Sequence, residues 1–123
     1  MDPVDWVAVA AAALIPAIVA LAWYGWLFGR RALAPRWIAG AVVVQLAPAL
    51  MLGHALARIG SEKLAAKPWL YWMQSGGIAL AFVIPALATG YARLGTPRRE
   101  LAADAGFWLV VYLLTGTVFR LAA

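Results

Sequence analysis

The sequence predicts an all-α integral membrane protein, a bundle of four membrane-spanning helices that forms a single domain over residues 1–123. The first observation is composition: 66% of the residues are apolar and 12% are charged, whereas a soluble domain is about half apolar and about a quarter charged. The second is the length of the apolar runs, because a helix needs about 20 apolar residues to cross roughly 30 Å of hydrocarbon. The third is that the basic residues lie between these runs or at their ends. An ordinary soluble domain and a disordered chain are both excluded, since the first needs more polar surface and the second needs low hydrophobicity.

The four predicted spans cover residues 6–28, 37–56, 69–92 and 101–121. The first is expected to be retained rather than cleaved as a signal peptide, because it is preceded by Asp2 and Asp5 instead of a basic segment and is longer than a signal core. Between the second and third spans, Ser61 is expected to cap a short helical turn. Tryptophans near the span ends are expected to act as anchors, since amphipathic rings settle at headgroup level. These anchors are Trp6, Trp23, Trp26, Trp37, Trp69, Trp72 and Trp108.

The charge pattern predicts an orientation in the membrane. The net charge is +5, but the basic residues form short clusters beside apolar runs rather than one patch, which indicates lipid headgroups as partners and not nucleic acid. The loops 29–36 and 93–100 carry six Lys and Arg residues, against four on the opposite side. The positive-inside rule then places both termini on the non-cytoplasmic side of a bacterial inner membrane.

Small residues repeat every four positions on three of the spans, a spacing that lets helices pack closely in lipid. On the second span the ridge is Ala41, Gln45, Ala49 and Gly53, and on the first it includes Gly25 and Gly29. On the third span Gly77 and Ala81 lead to Pro85 and Thr89. Such ridges are interpreted as faces for helix packing or for a partner, although so alanine-rich a chain also produces this spacing by chance.

The internal prolines Pro16, Pro48 and Pro85 are expected to kink their helices, because each removes an N–H and clashes with the carbonyl four residues earlier. Kinks of this kind are either purely structural or border a binding cavity, as broken helices do in transporters. A cavity of that kind is expected near Gln45, Pro48, Pro16 and Tyr112.

No Asp, Glu, Lys or Arg lies in the central part of any span, which argues against a proton pump, an ion channel and an ion-coupled transporter. Asp104 begins a polar-aromatic stripe on the fourth span, which continues through Trp108, Tyr112, Gly116 and Arg120. Its carboxylate is expected either to pair with Arg30, Arg31 or Arg93, or to be favoured by the nearby N-terminus of the helix.

Asp104, Tyr112 and His54 are candidates for a buried polar site. His54 is the single histidine, and it is either a satisfied interfacial side chain or a haem ligand that needs a second histidine from another chain. Gln45 and His54 are nine residues apart on one helix and therefore face opposite ways. With no cysteine and no catalytic constellation, we expect no metal, no cofactor and no enzymatic activity.

Two short motifs resemble those of a known family. Trp23-Tyr24-Gly25-Trp26-Leu27-Phe28-Gly29 is similar to the Trp-Tyr-Ser-Pro-x-x-Phe-Gly signature of a family of small four-span bacterial membrane proteins of unknown function, with Gly-Trp in place of Ser-Pro. The segment Asp104-Ala105-Gly106-Phe107-Trp108-Leu109 is similar to that family's Asn-Ala-Gly-Tyr-Trp-Leu. The resemblance implies the four-span fold and no particular activity.

Two functional hypotheses follow. The first is a non-catalytic bundle that acts as an accessory, structural or assembly subunit of a larger membrane complex, in contact with other membrane subunits or with copies of itself. The second is a small permease, or a protein that binds lipid or another small molecule in the membrane.

Overall fold

The computed structural model describes residues 2–27 and 34–123 and confirms the all-α, four-span prediction. The four helices long and apolar enough to cross a membrane are Trp6–Gly25, Pro35–Ile59, Leu70–Leu94 and Arg98–Ala122, named here the first to fourth spans. The second and fourth spans begin earlier and end later than predicted. Charged residues such as Arg36, Arg58 and Arg98 extend them as helix, because long basic side chains reach the interface while their apolar stems stay against the helix.

The described residues form six α-helices and two π-helical segments, and all of these except α3 belong to the spans. The α-helices are α1 (Trp6–Ala20), α2 (Pro35–Ile59), α3 (Ser61–Ala66), α4 (Leu70–Ile78), α5 (Ile84–Leu94) and α6 (Arg98–Ala122). The π-helical segments are Leu21–Leu27, which continues α1, and Ala79–Val83, which joins α4 to α5. Helix α1 begins where the Asp5 carboxylate accepts a hydrogen bond from the Ala8 N–H at 3.0 Å.

The three prolines affect their helices differently. Helices α1 and α2 run through Pro16 and Pro48 without a break in helical structure. In the third span, by contrast, the π-helical segment Ala79–Val83 ends two residues before Pro85 and contains Ala81, whose carbonyl the proline ring would meet in a regular α-helix. The wider π turn therefore lies where the proline disturbs the hydrogen-bond ladder.

The turn between α2 and α3 is held by the N-terminal segment. Gly60, with φ of +95°, ends α2 and precedes α3. The expectation that the Ser61 side chain caps this turn was wrong: the Asp2 carboxylate accepts a hydrogen bond from the Ser61 N–H instead. The Asp2 N–H also donates to the Ala57 carbonyl at 3.0 Å, so the chain ahead of the first span is tied to the end of the second.

The spans pack in the order second, first, fourth, third. Helix α1 packs against both α2 and α6, and α4 and α5 pack against α6, whereas α2 touches α4 at few points. Close approach of α1 and α2 requires Gly53, since a Cβ there would lie 2.7 Å from Val9 Cγ2. The seam between the second and third spans is therefore the least packed part of the bundle.

Candidate functional site

Asp104 lies at the centre of a hydrogen-bonded cluster that joins three spans at one end of the bundle. Its carboxylate accepts a hydrogen bond from the Tyr24 hydroxyl on one oxygen and from the Tyr91 hydroxyl on the other. These tyrosines belong to the first and third spans, and Asp104 belongs to the fourth. Each carboxylate oxygen thus has a hydroxyl donor, so both acceptor oxygens are satisfied within an apolar bundle.

The two motifs noted in the sequence meet in this cluster. The Trp23 indole N–H donates to the Ala103 carbonyl at 3.0 Å, next to the Tyr24–Asp104 contact. A Cβ on Gly106 would lie 2.9 Å from Trp23 Cζ2, so glycine leaves the room that the indole occupies. The motifs are 80 residues apart in sequence and form one contact between the first and fourth spans.

Aromatic rings extend the cluster towards the second span. The Tyr24 ring lies 5.1 Å from Phe107 and 5.9 Å from Trp37, and Trp37 lies 6.0 Å from Phe107, between ring centroids. These separations and the inclined ring planes are those of favourable aromatic pairs. All four spans thus contribute a residue to this end of the bundle.

The polar-aromatic stripe of the fourth span follows the third span along its length. At one end of the stripe, Asp104 contacts Tyr91 of α5. Further along, a Cβ on Gly116 would lie 2.4 Å from Ser75 Oγ and 3.0 Å from the Tyr71 carbonyl oxygen of α4. The third span therefore packs against this stripe of the fourth span.

A groove of 530 Å³ opens between the second and third spans, with the fourth span as its floor. The second span contributes Val44, Gln45, Ala47, Pro48 and Met51; the third contributes Val83, Ala86 and Leu87; the floor is Trp108 and Tyr112. Several of these, including Val44, Ala47 and Ala86, are exposed, so the groove opens sideways towards the space that lipid occupies. Of the cavity expected from the sequence, Gln45, Pro48 and Tyr112 line this groove, while Pro16 is buried within α1.

Gln45 bridges the second and fourth spans behind this groove. Its Nε2 donates to Thr115 Oγ1 at 3.1 Å, and the Thr115 hydroxyl donates to the Val111 carbonyl at 2.8 Å. Because the threonine proton is used on Val111, the amide must donate, which fixes the orientation of the glutamine. Its Oε1 and Ser75 Oγ are fully enclosed and have no hydrogen-bond partner among the described residues.

A second cavity, of 360 Å³, lies at the opposite end from Asp104. Asp2, Asp5, Tyr71 and Phe119 are among its lining residues. The backbone hydrogen bond from Ser61 holds the pKa of the exposed Asp2 carboxyl below its ordinary value. This end therefore carries negative charge beside an aromatic surface.

A family model described as "Protein of unknown function (DUF1761)" matches residues 7–120. The chain belongs to the DUF1761 family. The match confirms the resemblance to a family of unknown function that the two motifs indicated. No curated protein and no solved structure matches the chain.

In this DUF1761 member, the ridge of the second span lies inside the bundle. Ala41, Gln45, Ala49 and Gly53 are all buried, with Gly53 against Val9 of the first span. Gly25 is exposed, and a Cβ added there would meet no described residue within 4 Å; Gly29 lies outside the described residues. The second-span ridge is thus used for contacts within the chain, and no such use of Gly25 is found among the described residues.

The three candidates for a buried polar site are not brought together. Asp104 bonds to two tyrosines, and Tyr112 lies on the groove floor. His54 is exposed: its Nδ1 contacts the Leu50 carbonyl at 2.8 Å, and its ring stands edge-on to Trp6 at 5.8 Å. An exposed histidine at that end of the second span lies apart from both other candidates.

The described surroundings of Asp104 bear on only part of what the sequence led us to expect, and its pairing with Arg30 or Arg31 stays a prediction. No ion pair joins it to Arg93 within the described residues, and Arg30 and Arg31 lie outside them. Helix α6 begins at Arg98, so Asp104 is past the first turn, where the effect of the helix dipole has largely fallen off. The sequence reasoning missed Tyr24 and Tyr91 as partners; phenols at that depth of their spans were the available signal.

The predicted tryptophan anchors divide into two groups. Trp6, Trp37 and Trp69 are 59%, 40% and 56% exposed. Two others bind the fourth span through their indole N–H groups: Trp23 donates to the Ala103 carbonyl, and Trp72 donates to Thr117 Oγ1 at 2.9 Å. Trp108 is part of the fourth span and lines the groove. The side chain of Trp26 lies outside the described residues.

Among the described residues, no group of three or more His, Cys, Asp or Glu could hold a metal ion.

Proposed function

We propose that this protein is a non-catalytic, multi-pass bundle that acts as an accessory or assembly subunit of a larger membrane complex. It is proposed to lie in a bacterial inner membrane with both termini on the non-cytoplasmic side. Alkaline phosphatase fused after Ala123 should then be active, whereas a fusion after Leu94 should be inactive; the reverse pattern would contradict this orientation.

The observation that carries the proposal is the exposure of the third span. Only 6% of its most apolar stretch is buried inside the protein, against 28–39% for the other three spans. Helix α5 has no buried residue at all, and Leu80 and Phe82 just before it are 61% and 70% exposed. One edge of the bundle therefore offers a nearly complete helix surface to its surroundings.

The exposed surface includes the small-residue ridge of the third span. Ala81, Pro85 and Thr89 are exposed, and a Cβ added at Gly77 would meet nothing within 4 Å. Lipid tails are as apolar as leucine, so helices associate in a bilayer mainly through close packing at small residues. The second-span ridge is already used within the chain, which leaves the third-span ridge for a partner helix.

The test is gentle extraction from native membranes followed by native mass spectrometry. We expect other subunits in fixed stoichiometry with the wild-type chain and with Ala10→Phe, which enlarges an exposed residue of the first span. Ala81→Phe should lose those subunits while remaining folded, because the larger side chain prevents close approach along the ridge. A lone wild-type chain, or identical companions for both variants, would refute the proposal.

The groove between the second and third spans favours a second function, the binding of a small apolar molecule. Its volume lies within the roughly 300–1,000 Å³ range of small-molecule sites, and its lining is mostly apolar with aromatic and amide groups. Capture of a co-purified molecule that Ala47→Phe abolishes would support this function.

A further inference from the structure

The groove lies near the middle of the second and fourth spans, and therefore near the middle of a bilayer that these spans cross. Tyr112, on its floor, is two residues from the midpoint of α6, and Gln45, in its wall, is two residues from the midpoint of α2. At 1.5 Å per residue, both are within about 3 Å of the middle of their helices. Phospholipid ester oxygens and water are found at the two interfaces, so a group in this groove faces hydrocarbon.

Tyr112 presents an unpaired hydroxyl to this groove. The side chain is 5% exposed, and its ring packs against Trp108 with centroids 6.4 Å apart. No described residue forms a hydrogen bond with the hydroxyl, and it is not among the fully enclosed unpaired atoms, which are Gln45 Oε1 and Ser75 Oγ. The hydroxyl is therefore reachable from the groove that its side chain lines.

An unpaired donor in hydrocarbon is costly, and acyl chains have no acceptor at this depth. An occupant that satisfies Tyr112 must bring an acceptor oxygen on an otherwise apolar body. An alcohol would add a donor of its own, and the unpaired side-chain acceptor in the groove wall, Gln45 Oε1, is fully enclosed. A carbonyl accepts the phenolic proton and adds no donor.

We propose that the groove binds an apolar, membrane-soluble carbonyl compound, such as a ketone or a quinone, whose oxygen accepts a hydrogen bond from the Tyr112 hydroxyl. This inference rests on the second function proposed above and does not depend on a partner subunit. The ligand enters sideways from the bilayer past Val44, Met51 and Ala86, which are exposed, and its apolar body lies against Leu87 and the Trp108 ring.

The test uses the full chain in nanodiscs and two matched probes. One is a 4-bromophenyl alkyl ketone, and the other is the bromoalkylbenzene in which a methylene replaces the carbonyl. Bromine quenches tryptophan on contact, so the part of the quenching that Trp108→Phe removes reports occupancy of the groove. Binding is compared at equal probe content of the bilayer, which cancels any difference in partitioning.

We expect the wild-type groove to prefer the ketone by about two- to tenfold, the range for one neutral hydrogen bond. Tyr112→Phe should abolish this preference and still bind the hydrocarbon probe. The control is Tyr71→Phe. Tyr71 is also 5% exposed and its hydroxyl has no hydrogen-bond partner among the described residues, but it lines the other cavity, so this variant should keep the preference.

Equal binding of the two probes by the wild type, or a preference that survives Tyr112→Phe, would overturn the assignment of a carbonyl ligand. If neither probe quenches Trp108, the groove does not bind small apolar molecules, and the second function fails with it. Binding of the hydrocarbon probe therefore distinguishes the two failures: it persists if only the carbonyl assignment is wrong, and it is absent if the groove binds no small apolar molecule.

Discussion

Substitution of Gly116 by alanine tests how closely the third span is seated on the fourth. The added Cβ would lie 2.4 Å from Ser75 Oγ, 3.3 Å from Ser75 Cβ and 3.0 Å from the Tyr71 carbonyl oxygen. The first contact is with a buried side chain and the last is with helix backbone, so the neighbours cannot simply rotate away. Overpacking of this kind costs about 1–3 kcal/mol, and we expect Gly116→Ala to lower the free energy of unfolding by that amount.

Gly77→Ala is the matched control, since a Cβ there meets nothing within 4 Å. Both changes replace a glycine within a helical span, and alanine is favoured over glycine in helices by up to about 1 kcal/mol. The control should therefore be neutral or stabilising. The assay is unfolding by increasing SDS in mixed micelles, followed by circular dichroism.

Ser75→Ala separates the two clashes. Alone it removes a buried hydroxyl that has no hydrogen-bond partner among the described residues, so it should change stability little. Combined with Gly116→Ala it removes the 2.4 Å contact but not the contact with the Tyr71 carbonyl, so rescue should be partial. If Gly116→Ala were as stable as Gly77→Ala, the close seating of the third span on the fourth would be incorrect.

Three further predictions concern hydrogen bonds. Tyr91→Phe removes one of the two hydroxyl groups that bind the Asp104 carboxylate, so it should lower the free energy of unfolding by about 0.5–1.5 kcal/mol, the range for a typical hydrogen bond. Asp104→Asn, which introduces the residue of the similar family motif, should cost less in the same SDS titration; equal losses would contradict the paired-phenol arrangement. Gln45→Met removes one hydrogen bond to Thr115 together with the unpaired Oε1. These two effects oppose each other, so the free energy of unfolding should change by no more than about 1 kcal/mol. A larger loss would show that the amide has another partner. The pKa of Asp2 is lowered in the folded protein by the backbone hydrogen bond from Ser61. Its anchoring contact is therefore complete above the ordinary aspartate pKa of about 4 and is lost as the pH falls through the lowered value. The protection of the Ser61 amide against hydrogen exchange, relative to the intrinsic rate at each pH, should fall over that window in the wild type and be low throughout in Asp2→Ala.

Span number and helical class were predictable from the sequence because each apolar run satisfies a length requirement by itself. The placement of the second-span ridge inside the bundle was not, since the four-residue spacing of Ala41, Ala49 and Gly53 defines a face without saying what covers it. The spatial order of the helices decides which helix covers this face, and in this protein the first span covers it. The ridge of the third span has the same spacing and stays exposed.

Helical periodicity could not place Tyr24 beside Asp104 for a related reason. Tyr24 lies in the π-helical segment Leu21–Leu27, and a π turn shifts the angular position of the residues in it relative to a regular α-helix. A regular periodicity therefore misplaces Tyr24 on the face of its span. Asp2 illustrates a different limit: its contact with Ser61 spans 59 residues of sequence and depends on the first and second spans lying side by side.

The loops of the chain explain why the seam between the second and third spans stays open. The third and fourth spans are joined by three residues, Gly95 to Pro97, which forces them to be neighbours. The second and third spans are instead separated by α3, whose Leu64 is buried in the same apolar cluster as Leu56 and Tyr71. Helix α3 thus fills the space between the two spans at one end, while the Asp104 cluster fixes the third span to the first and fourth at the other. Between these two fixed ends, neither span has a side chain large enough to fill the seam at Ala47, Pro48 and Ala86, so the groove follows from how the ends are held.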